Sequence, residues 1–173
     1  MRIVRYAVVS SLDGYIAGPS GEADWITADP EIDFNQIFQR YDTALIGRRT
    51  YDSMLRSSMG MLPGMQTFVF SQTLQSAGHP KVRIVSTGAV QVVTQIKQEP
   101  GKDIWLFGGG ILFRSLALAG LVDEIEVAIM PTLLGAGLPL LPPPADRIPL
   151  TLKSHRTYKS GIVSLTYSLC SKN

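Results

Sequence analysis

The chain has 173 residues, 45% hydrophobic and 17% charged, with a formal net charge of +2. That balance is globular: it excludes a disordered polar chain and lacks the dense basic footprint that nucleic acid demands, and one domain of this length removes roughly two-thirds of its unfolded surface from water. The single cysteine, Cys170, excludes an intrachain disulfide or multi-cysteine metal site within one chain, no signal segment opens it, and no apolar run reaches the ~18 to 20 residues of a membrane span.

Residues 1–173 are therefore expected to form one domain in a reducing, cytoplasmic setting. Ile3 to Val9 reads as the first strand. Asp29-Pro30 is then expected to open a helix, with Asp29 as cap and Pro30 at the first position, and Phe34, Ile37, Phe38 and Tyr41 form its apolar stripe. Strands follow at Ala44 to Ile46, Thr67 to Phe70 and Val82 to Val85. A helix from Ala89 to Gln98 stops at Pro100-Gly101, and a strand from Ile104 to Phe107 runs into a helix that begins at Gly110 and carries Leu112, Phe113, Leu116 and Leu118. Ile125 to Ile129 is the next strand, and Leu141 to Pro144 is a rigid surface connection. The near-continuous apolarity of these runs is that of strands covered on both faces. Thr151 to Tyr158 and the alternating Val163, Leu165, Tyr167 and Leu169 instead form an antiparallel hairpin about Lys159-Ser160-Gly161. Cys170 falls in this last strand region as a packing residue, and His79 and His155 read as surface residues.

Three turns at strand ends carry the chemistry. Phe107-Gly108-Gly109-Gly110-Ile111-Leu112-Phe113 joins a strand to a helix through bare backbone, where a phosphate can reach unpaired N–H groups and the helix dipole favours an anion. The same glycines also suit a tight, closely packed turn, and they are not the G-x-G-x-x-G fingerprint. Gly47-Arg48-Arg49-Thr50 places two guanidiniums and a hydroxyl at a helix start, a phosphate clamp or a solvated basic turn. Ser71-Gln72-Thr73 follows another strand at the carboxyl edge where open α/β sheets bind ligands. Near the start, Ser11-Leu12-Asp13-Gly14 offers an acid within a turn, and Asp-Gly is also an ordinary turn pair.

Four segments in order carry a resemblance: Ser11-Leu12-Asp13-Gly14 with Ile16-Ala17, Gly47 to Tyr51, Phe107 to Gly110, and Pro131 to Leu140. The chain resembles the C-terminal reductase domain of the bifunctional riboflavin-biosynthesis deaminase/reductase, which shares the dihydrofolate-reductase fold. The resemblance implies an α/β domain with a mixed, mostly parallel sheet of about eight strands flanked by helices and ending in an antiparallel hairpin. It implies NADPH as cofactor and a small heterocyclic substrate, pterin- or pyrimidine-like, reduced by hydride transfer. Carried over by position, Gly47, Arg48, Arg49 and Thr50 hold the adenosine phosphates, with Ser71 and Gln72 near the 2′-phosphate. Phe107, Gly108, Gly109, Gly110, Ile111, Leu112 and Phe113 cradle the pyrophosphate. Val9 and Ile16 flank the nicotinamide, and Trp25 and Phe34 stand on the substrate side. A homodimer is implied as well.

The resemblance has edges. Tyr15 stands where the riboflavin enzymes usually carry lysine, a departure that weighs against recognition of a ribosylaminopyrimidine phosphate, and the His-x-Glu and Pro-Cys-x-x-Cys segments of the deaminase half are absent from the sequence. A C=N acceptor also needs a proton, for which a buried carboxyl is suited. Glu31 is the candidate relay, on the edge of the Phe34/Phe38/Tyr41 stripe, with Asp13 the other catalytic candidate. The rival function is a non-catalytic nucleotide-binding protein that keeps the cofactor turns.

Overall fold

Apolar, β-branched strands must be covered on both faces, and the chain meets that need by alternating strands with helices. The protein is described here by a computed structural model covering residues 1–57 and 62–169. In chain order the elements are β1 (Val4–Ser11), β2 (Tyr15–Ala17), α1 (Phe34–Gln39), β3 (Tyr41–Gly47), α2 (Arg48–Arg56), β4 (Gln66–Phe70), β5 (Arg83–Val85) and α3 (Ala89–Gln98). They continue with β6 (Asp103–Gly108), α4 (Gly110–Leu118), β7 (Glu124–Met130), β8 (Leu138–Pro139), β9 (Leu150–Thr157) and β10 (Val163–Leu169).

Eight strands form one sheet in the order β5-β4-β3-β6-β1-β7-β10-β9, parallel from β5 to β7 and antiparallel through the final hairpin. This is the mixed α/β architecture expected of a dihydrofolate-reductase-like fold. Alternation along β3 separates two cores. Leu45 joins Val4, Tyr6, Val93, Ile96, Leu106, Phe113 and Leu116 on the face covered by α3 and α4. Its neighbours Ala44 and Ile46 join Tyr51, Met54, Val69 and Trp105 on the face covered by α1 and α2.

The second face turns polar past Trp105. There Arg5, Glu124 and Ser168 stand in one cross-strand row and Ala7, Glu126 and Thr166 in the next. Arg5 and Glu124 are buried and pair at 2.6 Å, and Lys153 reaches Glu124 from β9. A cavity of about 520 Å³ opens over this network.

Three expectations change. The helix placed at Asp29-Pro30 begins at Phe34, capped by Asp33, whose carboxylate accepts from the Gln36 N–H at 3.1 Å. Asp29 caps only a local turn, accepting from the Glu31 N–H at 2.7 Å, and its carboxylate is also engaged by Ser160 of the hairpin. The short antiparallel pair β2–β8 has no counterpart in the sequence reading, because two- and three-residue strands carry no period. His79 is half-buried rather than on the surface, with its Nδ1 2.9 Å from the Tyr51 hydroxyl. Cys170 lies outside the described residues. Among the described residues no helix is long and apolar enough to cross a membrane.

Candidate functional site

Because β4, β3, β6, β1 and β7 are parallel, the turns that follow them gather along one edge of the sheet. The central two touch. A Cβ built on Gly47 would lie 3.4 Å from the Gly109 nitrogen and 3.6 Å from the Gly108 oxygen. Thr50 completes the contact: its Oγ1 lies 3.4 Å from the Cβ positions of both Gly108 and Gly109. Gly108 has φ +151°, which disfavours any side chain, and the Gly108–Gly109 peptide is cis.

Both following helices start without a cap. Gly47 is the N-cap of α2 and Gly109 that of α4, and neither start has a side-chain cap hydrogen bond. The first N–H groups of each helix have no intrahelical acceptor, so two partial positive charges meet at one point.

Arg48 turns away from that point. Its Nε donates to Asp52 at 2.7 Å, and its Nη1 donates to the Thr73 hydroxyl at 3.4 Å, joining the turn after β3 to the turn after β4. Arg49 is exposed. Ser71 is buried and its Oγ accepts from the Thr73 and Leu74 N–H groups, so its hydroxyl shapes that turn, while Gln72 is exposed beside it. Asp52 is a residue that sequence reasoning did not single out, although its i, i+4 spacing from Arg48 signals the pair. Only the fold brings Arg48 to Thr73, 25 residues away in the next turn.

The residues of the glycine turn divide by direction. Phe107 stacks edge-on against Trp105 at 5.0 Å. Leu112 and Phe113 are buried, and Phe113 lies flat on Tyr6 with ring centroids 4.1 Å apart. The Phe113 N–H is spent on the Gly109 carbonyl, so Phe113 offers an anion neither side chain nor amide. Ile111 is exposed. Gly110 is walled by the segment after β8: a Cβ there would meet Pro142 Cδ at 2.7 Å and the Pro139 oxygen at 2.8 Å. Arg114 of α4 holds that segment by donating to the Pro143 carbonyl at 2.9 Å.

On the other side of the edge, Val9 is half-buried in β1 and Ile16 half-buried in β2. Trp25 is half-buried, with its indole N–H donating to the Glu22 carbonyl at 3.3 Å, and Phe34 is exposed at the start of α1.

The two candidate acids do not sit in dry pockets. Asp13 accepts from the Ser11 hydroxyl at 2.6 Å, from the Gly135 N–H at 2.7 Å and from the Leu134 N–H at 3.1 Å. The Ser11 hydroxyl leads in holding its pKa at about 2, desolvation opposes, and the two amides add to the lowering. Glu31 precedes α1 rather than lying on it, its side chain is 39% exposed, and it pairs with Arg156 at 3.5 Å and Lys159 at 3.9 Å. Its expected place on the helix stripe is thus corrected: the stripe starts three residues later.

The protein family described as the RibD C-terminal domain matches residues 2–164. The chain is 32% identical over 169 residues to the uncharacterized protein YyaP of Bacillus subtilis, spanning 91% of this chain and 89% of that one. A putative riboflavin biosynthesis protein from Shewanella sp. PV-4 has a similar structure, with TM-score 0.83 and 24% identity over 98% of this chain and 99% of that one. Dihydrofolate reductase from Enterococcus faecalis, solved with NADP(H), gives TM-score 0.69 and 17% identity over 96% of each chain. These two structures establish the fold, and the first two comparisons establish the kinship: the chain belongs to the RibD C-terminal domain family.

Proposed function

We propose that the chain is an NADPH-dependent reductase that transfers hydride to a small heterocyclic, pterin- or pyrimidine-like substrate. The observation that carries this reading is the meeting of two uncapped helix starts at Gly47 and Gly109. Such a junction favours a phosphorylated ligand, since both dipoles and several unpaired N–H groups converge there. The residues fit that group, because the backbone of Gly47, Gly108 and Gly109 is bare, the two turns meet through backbone at van der Waals distance, and Gly108 has φ +151°, which disfavours a side chain. The NADP(H) of the dihydrofolate reductase neighbour supports the choice of cofactor.

In this reading the N–H groups at Gly110 and Ile111 hold the pyrophosphate, and Thr50 orients the glycine turn. Arg48 and Arg49 take the adenosine phosphates, favouring NADPH over NADH because the additional phosphate calls for cations, and Ser71 and Gln72 shape the neighbouring turn. When bound, NADPH supplies the hydride. Val9 and Ile16 exclude water from the nicotinamide end, and Trp25 and Phe34 present aromatic surface to the substrate. The same reading carries a homodimer, which light scattering tests by mass.

One observation favours a second reading. Asp13 is held well below the ordinary carboxylate range by its donors, and Glu31 lies 39% exposed beside Arg156, so neither carboxyl occupies the dry pocket that suits a proton relay. That suits a nucleotide-binding protein without turnover. Nicotinamide absorbance followed across pterins, pyrimidines and quinones, beside calorimetric binding of NADPH, separates the two. Turnover supports the reductase, tight binding without turnover supports the binding protein, and no binding of NADPH overturns both.

A further inference from the structure

The geometry points to Asp13 as a positioning residue for the nicotinamide end of the cofactor, locking the turn that carries Ile16 onto the loop after β7; the inference rests on the cofactor reading above. Asp13 sits between β1 and β2, and its Oδ1 and Oδ2 take the Ser11 hydroxyl and the Leu134 and Gly135 amides. Those amides lie 121 and 122 residues away in sequence. Ser11 closes the turn from the other side, its Oγ accepting from the Tyr15 N–H at 3.0 Å.

The lock is the centre of a longer seam. The Leu12 N–H donates to the Thr132 carbonyl at 2.8 Å, and the Leu140 N–H donates to the Gly14 carbonyl at 2.9 Å. Tyr15 pairs with Pro139 in β2–β8. Gly137 must be glycine here, because a Cβ would stand 2.2 Å from the Ala17 oxygen. From β8 the chain runs directly to the wall of Gly110, where Pro139 and Pro142 pack and Arg114 clamps the Pro143 carbonyl. One segment, 132–144, therefore ties the turn of Ile16 to the start of α4, the two ends of the proposed cradle.

The residue type follows from the donors. Three N–H or O–H groups converge, and an ionised carboxylate offers two oxygens that accept and nothing that donates. Asparagine would turn an NH₂ toward a donor. Held ionised through the neutral range, Asp13 has no proton to give, so its place is in fixing geometry and not in proton transfer.

The test compares NADPH with adenosine 2′,5′-bisphosphate, which carries the adenosine phosphates and lacks the nicotinamide. Calorimetric titration of Asp13→Asn is expected to show NADPH bound about ten-fold more weakly, the loss that follows when a cradle is no longer held in its bound shape. Affinity for the bisphosphate should stay within about two-fold, because its site lies at Gly47 to Thr50. Amide exchange at Leu134 and Gly135 should quicken in the same variant. If Asp13→Asn does not fold, Ser11→Ala keeps both amide contacts while removing the hydroxyl that Asp13 and the Tyr15 N–H share, and a loss of about three-fold confined to NADPH is expected. Equal weakening of both ligands, or unchanged NADPH binding, overturns the positioning role while leaving the cofactor reading standing. Failure of the wild type to bind either ligand overturns the cofactor reading and this inference with it.

Discussion

The Cβ position of Gly47 lies 3.4 Å from the backbone nitrogen of Gly109, so the turns after β3 and β6 meet through backbone alone. Gly47 has φ −76°, which alanine adopts freely, so any effect of Gly47→Ala comes from this contact and not from the backbone. The added methyl would press on the Gly109 nitrogen at 3.4 Å, the tight edge of van der Waals contact. We expect a stability cost of about 1 kcal/mol from overpacking, or about 2–4 °C in Tm. NADPH affinity should fall further, by about ten-fold, because the N–H groups of the turn shift with Gly109. Calorimetry beside a thermal melt checks the pair of outcomes.

The two arginines are not equivalent. Arg48 is already held by Asp52 at 2.7 Å, whereas Arg49 is exposed. Arg49→Ala should weaken NADPH by about ten-fold or more, as charge-assisted hydrogen bonds contribute roughly 1.5–3 kcal/mol, and leave NADH almost unchanged. Arg48→Ala should lose less, and the double variant at least ~2 kcal/mol. The preference should shrink as salt rises, since an exposed contact is screened over ~10 Å at 0.1 M. Equal losses for both cofactors would assign the pair to the shared pyrophosphate or to the fold.

Glu31 is expected to be dispensable. Its partners Arg156 and Lys159 lie at 3.5 and 3.9 Å on an exposed surface. Such pairs contribute about 0–1 kcal/mol. Glu31→Gln should therefore change Tm by no more than about 2–4 °C. It should also leave turnover on any active substrate within about three-fold, well short of the 10²–10⁴-fold that general acid–base catalysis supplies. A hundred-fold fall in rate with a changed pH profile would restore Glu31 as the relay.

Acid stability should depend on Glu124. Burial alone would raise its pKa, but Lys153 and Arg5 more than reverse that and hold it below the ordinary 4.5. A carboxylate whose native pKa lies below its unfolded value adds stability that is complete above the unfolded value and disappears as pH falls through the native one. Denaturant unfolding of wild type should weaken below about pH 4.5, and Glu124→Gln should flatten that limb. At pH 7 the substitution should cost about 2 kcal/mol, less than the ~3–5 kcal/mol of an orphaned buried charge. The reason is that Asp103 at 3.1 Å and Glu126 at 3.9 Å remain beside Arg5.

Local chemistry was legible in the sequence wherever a single segment decides its own conformation. The apolar runs became strands within a few residues, α3 begins at Ala89 and ends at Gln98 as its periodicity and Pro100 dictate, and the strand-to-helix glycine turns are where the dipeptides place them. Where two distant segments compete or cooperate, only the tertiary structure could decide. The sequence offers Asp29 as the helix cap, but its carboxylate is engaged by the Glu31 N–H and by the hairpin residue Ser160, and the helix begins only after Asp33. Asp13 reads as a turn acid or a catalyst from its neighbours alone, and the amides that fix its state arrive from Leu134 and Gly135. That the turns of Gly47 and Gly109 touch is likewise decided by the fold, because their distance in space is not encoded by their spacing along the chain.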